Sequence, residues 1–336
     1  MTIKDIAKLS GVSISTVSRV LNDRPDVSDE NRRKVLSIIQ SNNYIPNNSA
    51  RDLVKTKSDC IGLVVRGVSN PFYTDIIHAI EARITARGYT MVMQQIGSSE
   101  DEVKCGAMME RDKRLQGIIF LGGRFDYTAD ELMPLNVPFV SCSYTNRYGT
   151  LQCSDYSSVS IADEEEAYRA VMELYNAGHR RIAALISLPD DKSVSQLRYQ
   201  GYLKALRDCA LEPDDRLVIR AETYDIRGAY RAVQQTLDMG VDFTAVFSIS
   251  DNMAIGAMRA LKEAGRTIPG DCSIIAIDGL EISDYIDPPL TTLCQPTEEL
   301  GQRSVDILLD LIQGNTSHRQ EILPTAFRTG GSVRKL

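Results

Sequence analysis

The chain has 336 residues, 43% of them hydrophobic, with 45 acidic against 38 basic side chains and a formal net charge of −7. That length holds two or more domains with sizeable cores, and no stretch is long and apolar enough to read as a membrane span. The amino terminus runs directly into a capped helix, without a charged and then apolar leader, so a cytoplasmic protein is expected.

The charge is unevenly distributed. Up to Lys57 there are ten Lys/Arg against six Asp/Glu, which leaves twenty-eight against thirty-nine beyond it. A basic head on an acidic body suggests that only the head meets nucleic acid. Seven cysteines, widely spread and odd in number, show no zinc or redox spacing and read as thiols in a reducing compartment.

Taken in chain order, Thr2 and Asp5 stand at capping-box spacing, which predicts a helix from Ile3 that buries Ile6, Ala7 and Leu9. Gly11 supplies the left-handed turn that a helix-turn-helix needs. Ser13 is the cap of a second helix beginning near Ile14, with Val12 and Val17 at staple positions. Val17, Val20 and Leu21 then share one face, while Ser15, Ser18, Arg19 and Asn22 share the other. Serine, arginine and asparagine are ordinary surface residues too. The DNA reading is favoured because the stripe bears hydroxyl and guanidinium groups and is nearly free of acid. Ser28 caps a third helix whose Val35, Leu36, Ile38 and Ile39 are expected to close a small core. After Pro46, Asn47 caps a short helix with Ala50, Leu53 and Val54 on one side, which at about two turns orders only against a partner.

The segments Thr-Ile-Lys-Asp-Ile-Ala from Thr2, Gly-Val-Ser-Ile-Ser-Thr-Val-Ser-Arg-Val-Leu-Asn from Gly11, Tyr-Ile-Pro-Asn from Tyr44 and Ala-Arg-Asp-Leu from Ala50 resemble the lactose/galactose repressor family of bacterial transcriptional regulators. The resemblance implies that the second helix enters the major groove of double-stranded operator DNA. Ile14 and Ser15 then choose the sequence, Thr16 and Ser18 lie near phosphates and Arg19 near a guanine, with Thr2, Ser13 and Asn22 also among the DNA-binding residues. It also implies that the segment with Asn47, Ala50 and Leu53 folds on the operator, where Leu53 wedges into the minor groove. Ile14 is apolar where many members carry a hydrogen-bonding side chain, and Asp52 adds a negative charge to that segment.

From Cys60 the sequence alternates short apolar runs with amphipathic stretches. Runs at Ile61–Val65, Met91–Ile96, Gly117–Leu121, Phe139–Cys142, Ile182–Ser187, Leu217–Ile219, Ala245–Ile249 and Ile274–Ile277 predict buried parallel strands of an α/β fold with two doubly wound, Rossmann-like sheets. Ligands of such sheets bind beyond the carboxyl ends of strands, which makes Ser69 to Tyr73, Asp155, Ser250, Asp251 and Asp278 candidates, with Arg198 early in a helix. An aspartate at a strand end also commonly caps the next helix. The resemblance implies a periplasmic-binding-protein-like body whose cleft residues match Phe72, Tyr73, Asp155, Arg198, Tyr224, Ser250, Asp251 and Asp278. Arg198 and Asp278 lead that set, because a sugar hydroxyl or a nucleobase edge needs both a fork donor and an acceptor. Lys192 and Asp191 are placed at the entrance.

The expected division is 1–46 for the helix-turn-helix head, 47–58 for the hinge, and 59–336 for the effector-binding body. The resemblance implies that the chain crosses between lobes three times, near Ile161, Leu290 and Leu323, so that the first lobe takes about 59–161 and 291–322 and the second about 162–290 and 323–333. Tetramer-forming members of the resembled family append a leucine-heptad tail, and no heptads follow Gly331, so the resemblance implies a homodimer on a pseudo-palindromic operator. The rivals of this reading are weak in sequence. An enzyme would need a phosphate-cradling loop, a nucleophile elbow or metal-spaced histidines, and the three histidines, His78, His179 and His318, are isolated. No catalytic residue, metal or cofactor is expected. A secreted solute-binding protein is opposed by the missing leader and the basic head.

Overall fold

A computed structural model describes residues 1–21, 24–42, 58–67, 71–97, 99–187, 192–314 and 317–336. Asn22, Asn47, Ala50, Leu53 and Asp191, to which the sequence assigned roles, lie outside the described residues, as does most of the expected hinge. The chain divides into two compact units, Met1–Ser58 and Asp59–Leu336.

Among the described residues the first unit contains α1 (Ile3–Ser10), α2 (Ile14–Leu21) and α3 (Asp29–Ser41). The backbone N–H of Thr2 donates to Asp5 Oδ2 at 2.8 Å, and the Thr2 hydroxyl donates to the same oxygen at 3.0 Å. Gly11 ends α1 at φ 70°, a conformation that costs a side-chain-bearing residue more than glycine. Ser13 Oγ accepts the Thr16 N–H at 3.1 Å and starts α2. Ile6, Ala7, Val17, Val20 and Val35 form the core, with Val12, Leu21, Ile38 and Ile39 packed against it.

Two expectations fail here: Leu9 is 55% and Leu36 48% exposed. At 3.6 residues per turn, each stands about 110° around its helix from the centre of the buried face. Three short helices enclose too small a core to reach that far.

The second unit holds two six-stranded sheets among the described residues. The first contains β1 (Cys60–Arg66), β2 (Thr90–Ile96), β3 (Gly117–Leu121), β4 (Phe139–Cys142), β5 (Ser157–Ser160) and β11 (Gln320–Ile322), in the order β11-β5-β4-β3-β1-β2. The second contains β6 (Ile182–Ser187), β7 (Val218–Ala221), β8 (Ala245–Ser248), β9 (Ser273–Asp278), β10 (Thr291–Cys294) and β12 (Ala326–Arg328), in the order β12-β10-β9-β8-β6-β7. Pairing is parallel except between β10 and β12. The central strands are buried along their whole length, as the continuous apolar runs require of strands covered on both faces.

The helices of this unit are α4 (Phe72–Ala86), α5 (Glu102–Lys113), α6 (Ala129–Leu132), α7 (Asp163–Asn176), α8 (Val194–Asp208), α9 (Ile226–Asp238), α10 (Asp251–Glu263) and α11 (Thr297–Gln313). Late in sequence, α11 nevertheless packs on α4 in the first lobe. Gly301 permits the approach, since a Cβ there would stand 2.8 Å from the Ala79 Cβ and 2.9 Å from the Ile76 carbonyl oxygen.

The chain leaves the first sheet after Ser160, returns after Cys294 and leaves again after Ile322. The residues from Thr291 to Cys294 were assigned to the first lobe, and that assignment is corrected. They pair in parallel with Ile275–Asp278 and in antiparallel with Ala326–Arg328, so they belong to the second. The final residues are bonded along the same lobe. Ser332 Oγ donates to the Ile274 carbonyl at 2.6 Å, the Thr291 N–H donates to Ser332 Oγ at 2.8 Å, and the Leu336 N–H donates to the Ala177 carbonyl at 2.8 Å.

Candidate functional site

Two surfaces carry chemistry. On the head, the outward face of α2 presents Ile14, 46% exposed, at the helix start, followed by Ser15 and Arg19, both exposed. Ser13 Oγ lies 2.7 Å from Ser15 Oγ and 2.8 Å from Thr16 Oγ1, so three hydroxyls cluster at the helix N-terminus, where backbone N–H groups and the dipole favour phosphate. Ser18 is half-buried beside them, and Thr2 is exposed at the start of α1. Arg19 Nε stands 3.6 Å from Asp26 Oδ2, with both side chains more than half exposed. An exposed pair of that kind contributes about 0–1 kcal/mol and is readily exchanged for a phosphate or a guanine edge.

In the body, a cleft of about 680 Å³ opens between the lobes at the carboxyl ends of the strands. Its first-lobe wall includes Arg66, Phe72, Tyr73, Phe125 and Tyr144, and its second-lobe wall includes Ser187, Arg198, Tyr224 and Asp278, with Gln295 on a crossing segment. Phe72 and Tyr73 meet at 5.8 Å between ring centroids, and Phe125 and Tyr144 at 5.6 Å, so the first-lobe side is aromatic.

Arg198 is buried at the centre of the second wall. Its Nε donates to Asp163 Oδ1 at 2.9 Å and its Nη2 lies 2.9 Å from the same oxygen. Its Nη1 donates to the Ile249 carbonyl and, at 3.3 Å, to Asp278 Oδ1. Asp278 Oδ1 also accepts from Gln295 Nε2 at 2.8 Å, whereas Asp278 Oδ2 is buried with no hydrogen-bond partner among the described residues. Burial pushes this carboxyl up to about 7, with the Asp251 charge adding to the effect and Arg198 opposing it. Asp278 also stands at φ 147°, a positive value that costs a side-chain-bearing residue of order 1–3 kcal/mol and is commonly retained at functional sites. Burial raises the phenols of Tyr73 and Tyr224 as well, which keeps both protonated as donors.

Of the eight residues assigned to this cleft, Phe72, Tyr73, Arg198, Tyr224 and Asp278 line it, and Asp155, Ser250 and Asp251 do not. Asp155 is exposed in the turn before β5, where it accepts the Gln152 N–H at 2.8 Å. Ser250 caps α10 by accepting the Met253 N–H at 3.2 Å. Asp251 is fully buried and structural: it accepts from the Gly279 and Leu280 N–H groups at 3.1 and 2.8 Å, from Ser283 Oγ at 2.8 Å and from Thr292 Oγ1. The sequence reading missed Arg66, Ser187 and Gln295, all of which end strands or follow them directly, and Asp163, which no local pattern marks. Lys192 bridges the lobes through Asp126, at 3.3 Å.

Among the described residues, no group of three His, Cys, Asp or Glu is placed to hold a metal ion, and no helix is long and apolar enough to cross a membrane. A helix-turn-helix unit carried in one chain with a two-lobed body that holds a polar, aromatic-walled cleft defines a class of DNA-binding regulators.

Comparison with known proteins places the chain within that class. Residues 2–47 match the model for bacterial regulatory proteins of the lacI family, and residues 171–333 match the periplasmic binding protein-like domain. The HTH-type transcriptional regulator MalR of Clostridium butyricum is 40% identical over 327 residues, 97% of each chain. The ribose operon repressor of Haemophilus influenzae is 32% identical over 325 residues, 96% of this chain and 95% of that one. The lac repressor dimer bound to operator superimposes with a TM-score of 0.82 at 29% identity, covering 99% of both chains. The chain therefore belongs to the lacI family of bacterial regulatory proteins. It is a DNA-binding transcriptional regulator and not an enzyme.

Proposed function

We propose that this protein represses transcription in the cytoplasm as a homodimer on a pseudo-palindromic operator, and that a small molecule with sugar-like hydroxyls, bound between the lobes, controls its hold on that operator. The observation that carries the effector half is the buried, unpartnered Oδ2 of Asp278 beside the fully engaged Arg198 and opposite the aromatic first-lobe wall. A buried acceptor left unmatched is destabilising, and a hydroxyl donor from a ligand relieves it. The rings opposite supply the apolar face on which a sugar ring packs. The dimeric lac repressor on its operator and the naming of one relative as a ribose operon repressor support the same assignment.

The coupling is thermodynamic. An effector shifts operator affinity by as much as its own affinity differs between the two lobe arrangements. The test is a titration of the full chain on palindromic DNA selected from a random library. Specific retention is expected, reversed or strengthened by a small molecule in the wild type and unaffected by it in Asp278→Asn. Absence of sequence-specific retention refutes the regulator reading, and a normal ligand response in Asp278→Asn refutes the cleft assignment.

A further inference from the structure

Two buried polar atoms of the cleft have no hydrogen-bond partner among the described residues: Asp278 Oδ2 and Ser187 Oγ. Their residues are 3% and 6% exposed, and they end β9 and β6, the strands that flank β8. Two strand spacings separate them, about 10 Å of sheet, so one vicinal diol cannot satisfy both. The backbone N–H of Ser187 is already committed to Ser195 Oγ at 3.1 Å, which fixes the residue while leaving its own hydroxyl available.

The charges of the cleft point the same way. Its two guanidinium groups are each countered by a buried carboxylate outside the lining: Arg198 by Asp163 at 2.9 Å, and Arg66 by Glu102 at 3.4 Å. Arg66 also donates to the Glu100 carbonyl at 3.2 Å. Among the described residues the lining contains no lysine, and its remaining ionisable groups of that kind are the carboxyls of Glu222, Asp225 and Asp278. The positive end of α9 is taken up by its own cap, since Asp225 Oδ1 accepts the Gly228 N–H at 2.7 Å. A phosphate or carboxylate entering this space meets the carboxylates of Glu222 and Asp225 and the buried carboxyl of Asp278, with no uncommitted cation among the described residues to offset them.

We infer that the effector is an uncharged polyol rather than a phosphorylated or carboxylated one, and that Ser187 is a specificity residue that binds a hydroxyl remote from the one held by Asp278. The inference rests on the cleft being the effector site. The volume of about 680 Å³, within the range of pockets that enclose drug-sized ligands, accommodates more than a single ring and suits two anchors set apart in this way.

The test measures binding to the full chain by thermal shift and calorimetry with glucose, ribose, maltose and cellobiose as neutral probes and glucose 6-phosphate and ribose 5-phosphate as charged ones. At least one neutral probe should bind, with its phosphorylated counterpart at least about tenfold weaker. Ser187→Ala should weaken that neutral probe about tenfold while leaving the melting temperature of the unliganded protein within a few degrees of wild type. A phosphorylated probe that binds as tightly as the neutral ones, and loses its binding in Asp278→Asn, overturns the inference and leaves the cleft assignment standing, as does full affinity in Ser187→Ala. Binding that is indifferent to Asp278→Asn overturns the cleft assignment and this inference together.

Discussion

Asp163 holds Arg198 through a single oxygen, Oδ1, which lies 2.9 Å from both Nε and Nη2 of the guanidinium. The two residues are 6% and 2% exposed and come from the first turn of α7 and the second turn of α8. That pair orients Nη1 toward Asp278, so the acceptor face of the cleft depends on a carboxylate that does not itself line the cavity.

Removing Asp163 strips the buried guanidinium of its nearer carboxylate and leaves Asp278 Oδ1, at 3.3 Å, to oppose the charge. Asp163→Ala should therefore destabilise the body by about 3–5 kcal/mol, measured by urea unfolding. A loss under about 1 kcal/mol would mean that the guanidinium finds solvent, contrary to its burial.

Arg19→Ala should lower specific operator affinity by about 1–3 kcal/mol at one base pair, with a smaller loss on random DNA. Fluorescence anisotropy at fixed salt checks this, and equal losses on both DNAs would reduce Arg19 to a phosphate contact.

His179 is 1% exposed and lies 3.0 Å from Thr244 Oγ1 and 2.9 Å from Ser273 Oγ, the latter also accepting the Arg334 N–H at 3.0 Å. Burial lowers its pKa below the ordinary value of 6.5. The unfolded chain then binds the proton more readily, so stability conferred by the neutral ring is complete above 6.5 and declines as pH falls from there toward the lowered folded value. Thermal midpoints across that acid range should fall less in His179→Asn than in the wild type. Parallel curves for the two proteins would assign the acid loss to other groups.

Gly301→Val should cost about 1–3 kcal/mol, because the added atoms press on the backbone of α4 at Ile76 and on Ala79. Differential scanning calorimetry reads the shift, and a neutral result would show that α11 can move away from α4 without loss.

Features set by near neighbours were legible in the sequence. The Thr2–Asp5 box, the Gly11 turn and the Ser13 cap each depend on atoms a few positions apart, and all three appear in the head. The runs Gly117–Leu121, Phe139–Cys142 and Ile182–Ser187 have strand boundaries equal to those read from their apolar patterns, because a buried parallel strand must be apolar throughout. Leu9 and Leu36 were misread because helical spacing gives a side chain's direction but not the reach of the core.

By itself, then, the sequence determined the helix-turn-helix head, the α/β alternation of the body and the uneven charge between them, since these follow from spacing and composition. Only the tertiary structure decided which strand-end carboxylate serves the cleft. Asp251 and Asp278 look alike in sequence, but Thr292 and Ser283, more than thirty positions away in the chain, close on Asp251 and satisfy it, while Asp278 keeps one oxygen unmatched among the described residues. Lobe membership of Thr291–Cys294 was settled in the same way, by ladder bonds to β9 and β12. Hydrogen bonds between distant segments form only after the backbone has brought them together, and no local pattern encodes them.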